Sequence, residues 1–268
     1  MKQHKFPKIM GIVNVTPDSF SDGGLFVQKD TAIEHAMQLI ADGADILDIG
    51  GESSRPNADE ISIEEEKKRV IPVIEGIRKV NSTVKISIDT VKYDVAVAAL
   101  DAGANIINDI SGLGTDIQLA TLAAVHNAGL IIMHIQGTPR TMQIKPSYNN
   151  VAEDVFSELS GKIELARSLG VANVMADVGI GFGKTAEHNW SLLKNLNKFE
   201  NLGVPMVLGI SRKSFLGKLL GIEHPIERDV ATAMLHALLL EETIEIIRVH
   251  EVKQIVTLRK LWEVLRND

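Results

Sequence analysis

KIMGIVN (8–14) passes through five apolar or glycine residues and stops on an amide. Seven later runs share that form: ADILDIGGESSRP (44–56), VKISIDT (84–90), ANIINDISG (104–112), LIIMHIQG (130–137), NVMADVGIGFGK (173–184), PMVLGISRKS (205–214) and IEIIRVHEV (244–252). Each ends in a polar residue or a polar, Gly-rich loop. A strand of a parallel sheet is covered on both faces, so it reads as a continuous apolar run rather than an alternation. The segments between the runs carry helical spacing, as in Ala32, Ala36, Leu39 and Ile40. Eight strands alternating with helices predict an α/β fold, a (β/α)8 TIM barrel, whose chemistry sits at the C-terminal strand ends. The polar termini all fall there. An open doubly wound sheet is the competing arrangement, and eight units suit closure better.

The spacing predicts helices over roughly 31–42, 64–80, 92–102, 116–128, 151–169, 187–200, 227–242 and 252–266. Ser62 with Glu65 resembles a capping box. Gly43, Gly103, Gly129 and Gly170 each fall where a helix closes before the next strand. No linker or low-complexity segment interrupts the chain, so residues 1–268 read as one domain. The first (15–30), second (51–63) and fifth (135–150) strand-to-helix loops are long, as lids and binding loops are.

Composition narrows the function. A net charge of −7 argues against nucleic-acid binding, which uses a basic surface. There is no cysteine, which rules out disulfides and thiolate metal sites and fits a cytoplasmic location. The N-terminal stretch has no secretory apolar region, and no run approaches the ~18 apolar residues of a membrane span.

The strand-end residues fall into two chemical groups. Asp89, Asn108, Asp109 and Asp177 stand among apolar neighbours, where a carboxylate needs a partner. Such groups suit a flat heterocycle with several N–H donors, since a carboxylate accepts two parallel N–H bonds from a guanidine-like edge. Helix capping is the plainer role for each acid, and Asp109 reads as more structural than Asn108. Arg55, Arg212, Lys213, Arg248 and His250 supply cations. Arg248 and His250 share side-chain parity, and strands eight, one and two are neighbours in a closed barrel, so Arg55, Arg248, His250 and Asn14 can meet at one anion. A surface ion pair is the competing role for each cation alone. DVGIGFGK (177–184) lies in the wrong unit for a dinucleotide fingerprint and reads as a loop that lets backbone approach a ligand. Phe182 within it and Phe20 in the first loop can flank an aromatic substrate or anchor their loops. Neither a nucleophile elbow nor a zinc site is supported, and His134 has no assigned role.

MGIVNVTPDSFSDGG (10–24) and DIGGESSRP (48–56) resemble the two signature segments of the dihydropteroate synthase family. SIDT (87–90), IINDISG (106–112), MHIQGTP (133–139), GIGFGK (179–184), GISRKSFLG (209–217) and IRVHEV (247–252) follow its other blocks in order. The resemblance spans essentially the whole chain. It implies a TIM-barrel transferase, usually dimeric and working with Mg2+, that joins 6-hydroxymethyl-7,8-dihydropterin pyrophosphate to 4-aminobenzoate in folate biosynthesis. Pyrophosphate leaves first, and the arylamine then attacks. Carried over, Asp89, Asn108, Asp177 and Lys213 hold the pterin, with Met133 beside it. Asn14, Arg55, Arg248 and His250 hold the pyrophosphate, Asn14 through the metal. Phe20, Ser54, Arg55, Pro56, Phe182, Ser211 and Lys213 form the aminobenzoate pocket. The catalytic set so implied is Asp89, Lys213, Arg248 and His250.

The chain departs from the family pattern at Ser54 (usually Thr), Asn57 (often Gly), Val178 (usually Pro) and Ile180 (often Phe or Met). These bear on the shape of the aminobenzoate pocket and remove no implied polar contact. The resemblance implies a sulfonamide target. Two other functions compete: a methyltransferase moving methyl from methyltetrahydrofolate to a corrinoid protein, and a non-catalytic pterin binder. Neither needs the SRKS and RVHE cations. Leu235, Leu238, Leu239, Leu258, Leu261 and Trp262 near the C-terminus either form a homodimer face or pack on the barrel; packing is the default.

Overall fold

The computed structural model describes residues 5–16, 25–55 and 58–266. Its strands are β1 (Lys8–Asn14), β2 (Ile46–Gly50), β3 (Lys85–Asp89), β4 (Ile106–Asp109), β5 (Gly129–Met133), β6 (Asn173–Asp177), β7 (Met206–Leu208) and β8 (Ile246–Val249). All neighbours pair in parallel, and β8 returns to β1, so the sheet closes into the predicted barrel. Eight parallel strands with covering helices define a TIM barrel.

The helices are α1 (Leu25–Ala41), α2 (Ile63–Val80), α3 (Tyr93–Asp101), α4 (Gln118–Val125), α5 (Val151–Ser168), α6 (Ala186–Lys194), α7 (Ser214–Leu220), α8 (Asp229–Leu238) and α9 (Val252–Arg266). The predicted 187–200 helix ends early and continues as a 3-10 segment, Leu196–Leu202. Unit seven differs most, because α7 was not read from the sequence and α8 is shorter than predicted. Only half of the predicted capping box forms. Ser62 accepts from the Glu65 amide at 3.1 Å, while the Glu65 carboxylate turns to Arg69. Gly43, Gly103 and Gly170 have φ of 105°, 109° and 92° and close their helices. Gly129 instead opens β5, and Asn127, with φ 50°, takes the left-handed position after α4.

Period-two alternation sorts every strand. One set, including Ile9, Val13, Leu47, Ile49, Ile86, Ile88, Leu130, Ile132, Ile247 and Val249, faces the helices in the main core. The other set points inside, where Met10, Ile46, Ile106, Ile131, Met175, Val207 and Ile246 fill the barrel. Burying one isoleucine there contributes about 1.5–3 kcal/mol. Two residues beyond these plugs, on the same face, come Asp48, Asn108, Met133, Asp177, Gly209 and Arg248. The barrel floor therefore aims the site residues at one mouth. Among the described residues, no helix is long and apolar enough to cross a membrane.

Candidate active site

The mouth holds a cleft lined by Ser54, Asp89, Asn108, Ile110, Met133, Asp177, Gly179, Ile180, Phe182, Gly209, Lys213 and Arg248. The acids and amide expected on β3, β4 and β6 share it with Met133, Phe182, Lys213 and Arg248. Asp89 and Asn108 are partners in the β3–β4 register, and Met133 and Asp177 in β5–β6. Asp89 is no helix cap, for its Oδ2 accepts from Arg248 Nη2 at 2.8 Å. Asp109 is structural, as expected: its Oδ1 accepts from Ser111 N at 2.8 Å and from Ser111 Oγ at 2.6 Å.

The strongest organiser of this cleft was not among the expected residues. Asp48, fully buried inside the barrel, accepts from Arg248 Nε at 2.6 Å and from Asn108 Nδ2 at 3.0 Å, both on Oδ2. Within the apolar run ADILDIGG it reads as one polar residue in a strand. Its signal was parity, since it stands two residues beyond the interior Ile46.

Charge states follow from burial and these contacts. Burial and the neighbouring Asp48 push Asp89 up to about 7, against the pull of Arg248. Burial raises Asp177 as well, opposed by the Gly179 amide, which donates to Asp177 Oδ1 at 2.7 Å. Burial and then Arg248 bring Lys213 down to about 8. Its Nζ lies 4.0 Å from the centre of the Phe182 ring. Burial, reinforced by Arg212, Arg248, Lys213 and Arg55, holds His250 well below the usual imidazole range. Burial and these cations thus favour the neutral imidazole of His250, where the sequence reading had a cationic one. Its Nδ1 lies 2.9 Å from Ser211 Oγ, which also accepts from the His250 amide at 3.2 Å.

Of the expected anion ligands, Arg248 is turned into the acids, Arg55 stands exposed on the second loop, and Asn14 ends β1 beside Gly50. Arg212 is committed elsewhere, in a two-bond pair with Asp229 at 2.8 and 2.7 Å. Phe20 and Pro56 lie outside the described residues. The second loop is staked at its base by Lys92, whose Nζ lies 2.6 Å from both Glu52 and the fully buried Glu66.

A second buried network fastens the Gly-rich loop. Lys184, 2% exposed, donates from Nζ to His134 Nδ1 at 2.9 Å, to Phe182 O at 2.9 Å and to His134 O at 3.3 Å. His134 Nε2 meets Glu158 at 3.1 Å. Gly179 has φ 67°, and a Cβ there would lie 1.8 Å from His134 O, so only glycine lets this loop sit on β5. The fifth loop braces the same segment through Gln143 to Gly181 O (3.0 Å) and Tyr148 to Gly183 O (2.7 Å).

A closed parallel barrel whose C-terminal mouth sets carboxylates and an amide against buried cations defines a class, the barrel enzymes that bind an N–H-rich heterocycle. Residues 10–250 match the family described as pterin binding enzyme. The dihydropteroate synthase of Synechocystis is 42% identical over 259 residues, covering 96% of this chain and 89% of that protein. The Xanthomonas albilineans dihydropteroate synthase structure with 4-aminobenzoic acid superposes with TM-score 0.91 at 38% identity, covering 98% and 94% of the two chains. The Yersinia pestis dihydropteroate synthase in a sulfonamide drug complex gives TM-score 0.90 at 38% identity, covering 98% and 95%. The chain belongs to the dihydropteroate synthase family.

Proposed function

We propose that the cleft condenses 6-hydroxymethyl-7,8-dihydropterin pyrophosphate with 4-aminobenzoate, giving 7,8-dihydropteroate and pyrophosphate. The observation that carries this is the donor–acceptor pattern of the floor. Asp89 Oδ2, Asp177 Oδ1 and Asn108 Nδ2 are engaged within the protein. Asp89 Oδ1, Asn108 Oδ1 and Asp177 Oδ2 remain as acceptors, with Lys213 as the donor. A pterin matches that set, with N–H donors along its guanidine-like edge and a carbonyl as acceptor. Met133 packs on its face.

Arg248 stands next to the acids and, with Arg55 and His250, takes the pyrophosphate. Bound phosphate charge favours protonation of His250, reversing the effect of the surrounding cations. Asn14 is the residue that would hold Mg2+. One amide oxygen suffices where substrate phosphates supply further ligands, and no group of three His, Asp or Glu with metal-site geometry occurs among the described residues. The ion's chemistry there is charge neutralisation of the leaving group.

Loss of pyrophosphate leaves a positive methylene conjugated to the pterin, and the Asp89 carboxylate stabilises that charge. The neutral arylamine needs no strong base, and its proton leaves after attack. Phe182, Ser54, Arg55, Ser211 and Lys213 position it, and exclusion of water protects the cation. The corrinoid methyltransferase and the non-catalytic binder leave Arg55, Arg248 and His250 without an anion to hold.

We also place the enzyme in the cytoplasm as a homodimer. Leu235 and Leu239 pack on the core, but Leu238 is 81% exposed and Leu261 61%. Val230, Met234, Val264 and Leu265 are exposed with them on α8 and α9. An apolar surface of this kind marks an interface. The enzymatic test measures pyrophosphate release from the dihydropterin substrate with Mg2+. Release that depends on 4-aminobenzoate supports the assignment; its absence at micromolar enzyme rejects it.

A further inference from the structure

The acceptor that Asn108 shows the ligand is set from below. A carboxylate only accepts hydrogen bonds, so the Asn108 atom 3.0 Å from Asp48 is its NH2 group, and the carbonyl is the atom left for the cleft. The same Asp48 oxygen receives Arg248 Nε at 2.6 Å, so one buried atom fixes both side chains. Asp48 itself is not among the residues that line the cleft.

Three observations make this a device for position rather than for folding. Asp48 is 0% exposed, and its other oxygen, Oδ1, has no hydrogen-bond partner among the described residues. A buried carboxylate with a vacant oxygen is costly, and it is kept where its remaining bonds serve specificity. Both of its partners line the cleft. They come from β4 and β8, strands that adjoin neither β2 nor each other, so no backbone pairing sets their relative placement. An amide free to turn presents either a donor or an acceptor, and against a ring N–H the wrong choice leaves two donors face to face.

We infer that Asp48 is a positioning residue of the pterin subsite: it locks the Asn108 amide with its carbonyl toward the ligand and holds Arg248 in register with Asp89. This rests on the pterin reading above and adds to it a residue that acts only through others.

The test compares Asp48→Ala and Asp48→Asn in the full-length protein. An asparagine can place its carbonyl where Oδ2 lies and accept both bonds, losing the charge and setting its NH2 where Oδ1 lies. Calorimetry gives the dissociation constant for the dihydropterin pyrophosphate, and steady-state assays give the 4-aminobenzoate KM at saturating pterin. Asp48→Ala is expected to weaken pterin binding at least tenfold while leaving the aminobenzoate KM within threefold. Asp48→Asn is expected to stay within threefold on both. In an Asn108→Ala background, Asp48→Ala should weaken pterin binding by a smaller factor than it does in the wild type. Pterin affinity unchanged in Asp48→Ala, or equal loss for both substrates, overturns the inference, as does full multiplication of the Asp48 and Asn108 effects. If the alanine variant does not fold, Asp48→Ser carries the same expectation, because its shorter hydroxyl cannot accept both bonds. A wild-type protein without aminobenzoate-dependent pyrophosphate release fails the enzymatic reading. An active wild type whose Asp48 variants behave normally fails only the positioning role.

Discussion

Replacing Lys184 with methionine separates stability from function. The ammonium is buried, and burial lowers its pKa to about 7 from 10.5. For a lysine depressed on folding, the native state binds fewer protons than the unfolded chain between those two values. Stability therefore rises with pH across that window, and the cost is fully present below it. At pH 8 the cost is about 3 kcal/mol, from ~1.4 kcal/mol for each pH unit below 10.5. Against it stand the contacts with His134 Nδ1, Phe182 O and His134 O; at pH 8 the mostly neutral amine has two N–H groups to give them, worth about 1 kcal/mol each, or ~2 kcal/mol in total. The terms nearly cancel, so Lys184→Met should unfold within ~1 kcal/mol of wild type at pH 8. Function should not be spared. The Phe182 carbonyl loses its donor, the Gly-rich loop loosens, and the 4-aminobenzoate KM should rise about tenfold, equivalent to ~1.4 kcal/mol. Urea unfolding at pH 7 and pH 9 provides the control. The wild type should gain about 2 kcal/mol more than the variant over that interval. Parallel stability–pH curves, or an unchanged aminobenzoate KM, would refute the reasoning.

Four further outcomes are expected. Phe182→Ala should raise chiefly the aminobenzoate KM and Arg248→Ala should chiefly impair use of the pterin pyrophosphate; the same substrate-specific defect in both would dissolve the two subsites. His236 is fully buried, and burial takes its pKa down to about 3, so its neutral form is favoured and stability falls as pH drops below 6.5. At pH 5 that loss is about 2 kcal/mol, and a stably folded His236→Leu variant should lack it in acid-denaturation curves. Leu238→Glu on exposed α8 should yield monomers by sedimentation if the apolar face joins two copies, and an unchanged sedimentation coefficient in a dimeric wild type would place the interface elsewhere. Sulfonamides should compete with 4-aminobenzoate, and inhibition constants hundreds of times weaker than the aminobenzoate KM would show that Ser54 and its neighbours have reshaped the pocket.

The barrel was legible because its strands are buried on both faces, which leaves the apolar runs unbroken. Asn108, Asp177 and Arg248 were legible for a related reason: each follows an interior plug by two residues, at the open end. Asp48 obeys the same rule, but it sits deeper, and a lone acid in an apolar run has no local sign of its distant partners. His134 and Lys184 stayed unassigned because their meeting joins loops from different units, 50 residues apart. The helix α7 was missed because SFLGKLL is seven residues long, too short for helical periodicity to emerge. Gly129 was misplaced because Asn127 is among the few non-glycine residue types that enter the left-handed region readily.

The Arg248–Asp89 ion pair makes the cleft behave as a coincidence detector. An inorganic phosphate that draws Arg248 away leaves Asp89 Oδ2 unpartnered. A ring without phosphate can satisfy the acids but meets an arginine already occupied. A molecule bearing both ends replaces each broken contact with one of its own. If Arg248 takes the phosphate end as proposed, lone anions and free pterins are disfavoured by what they leave unpaired.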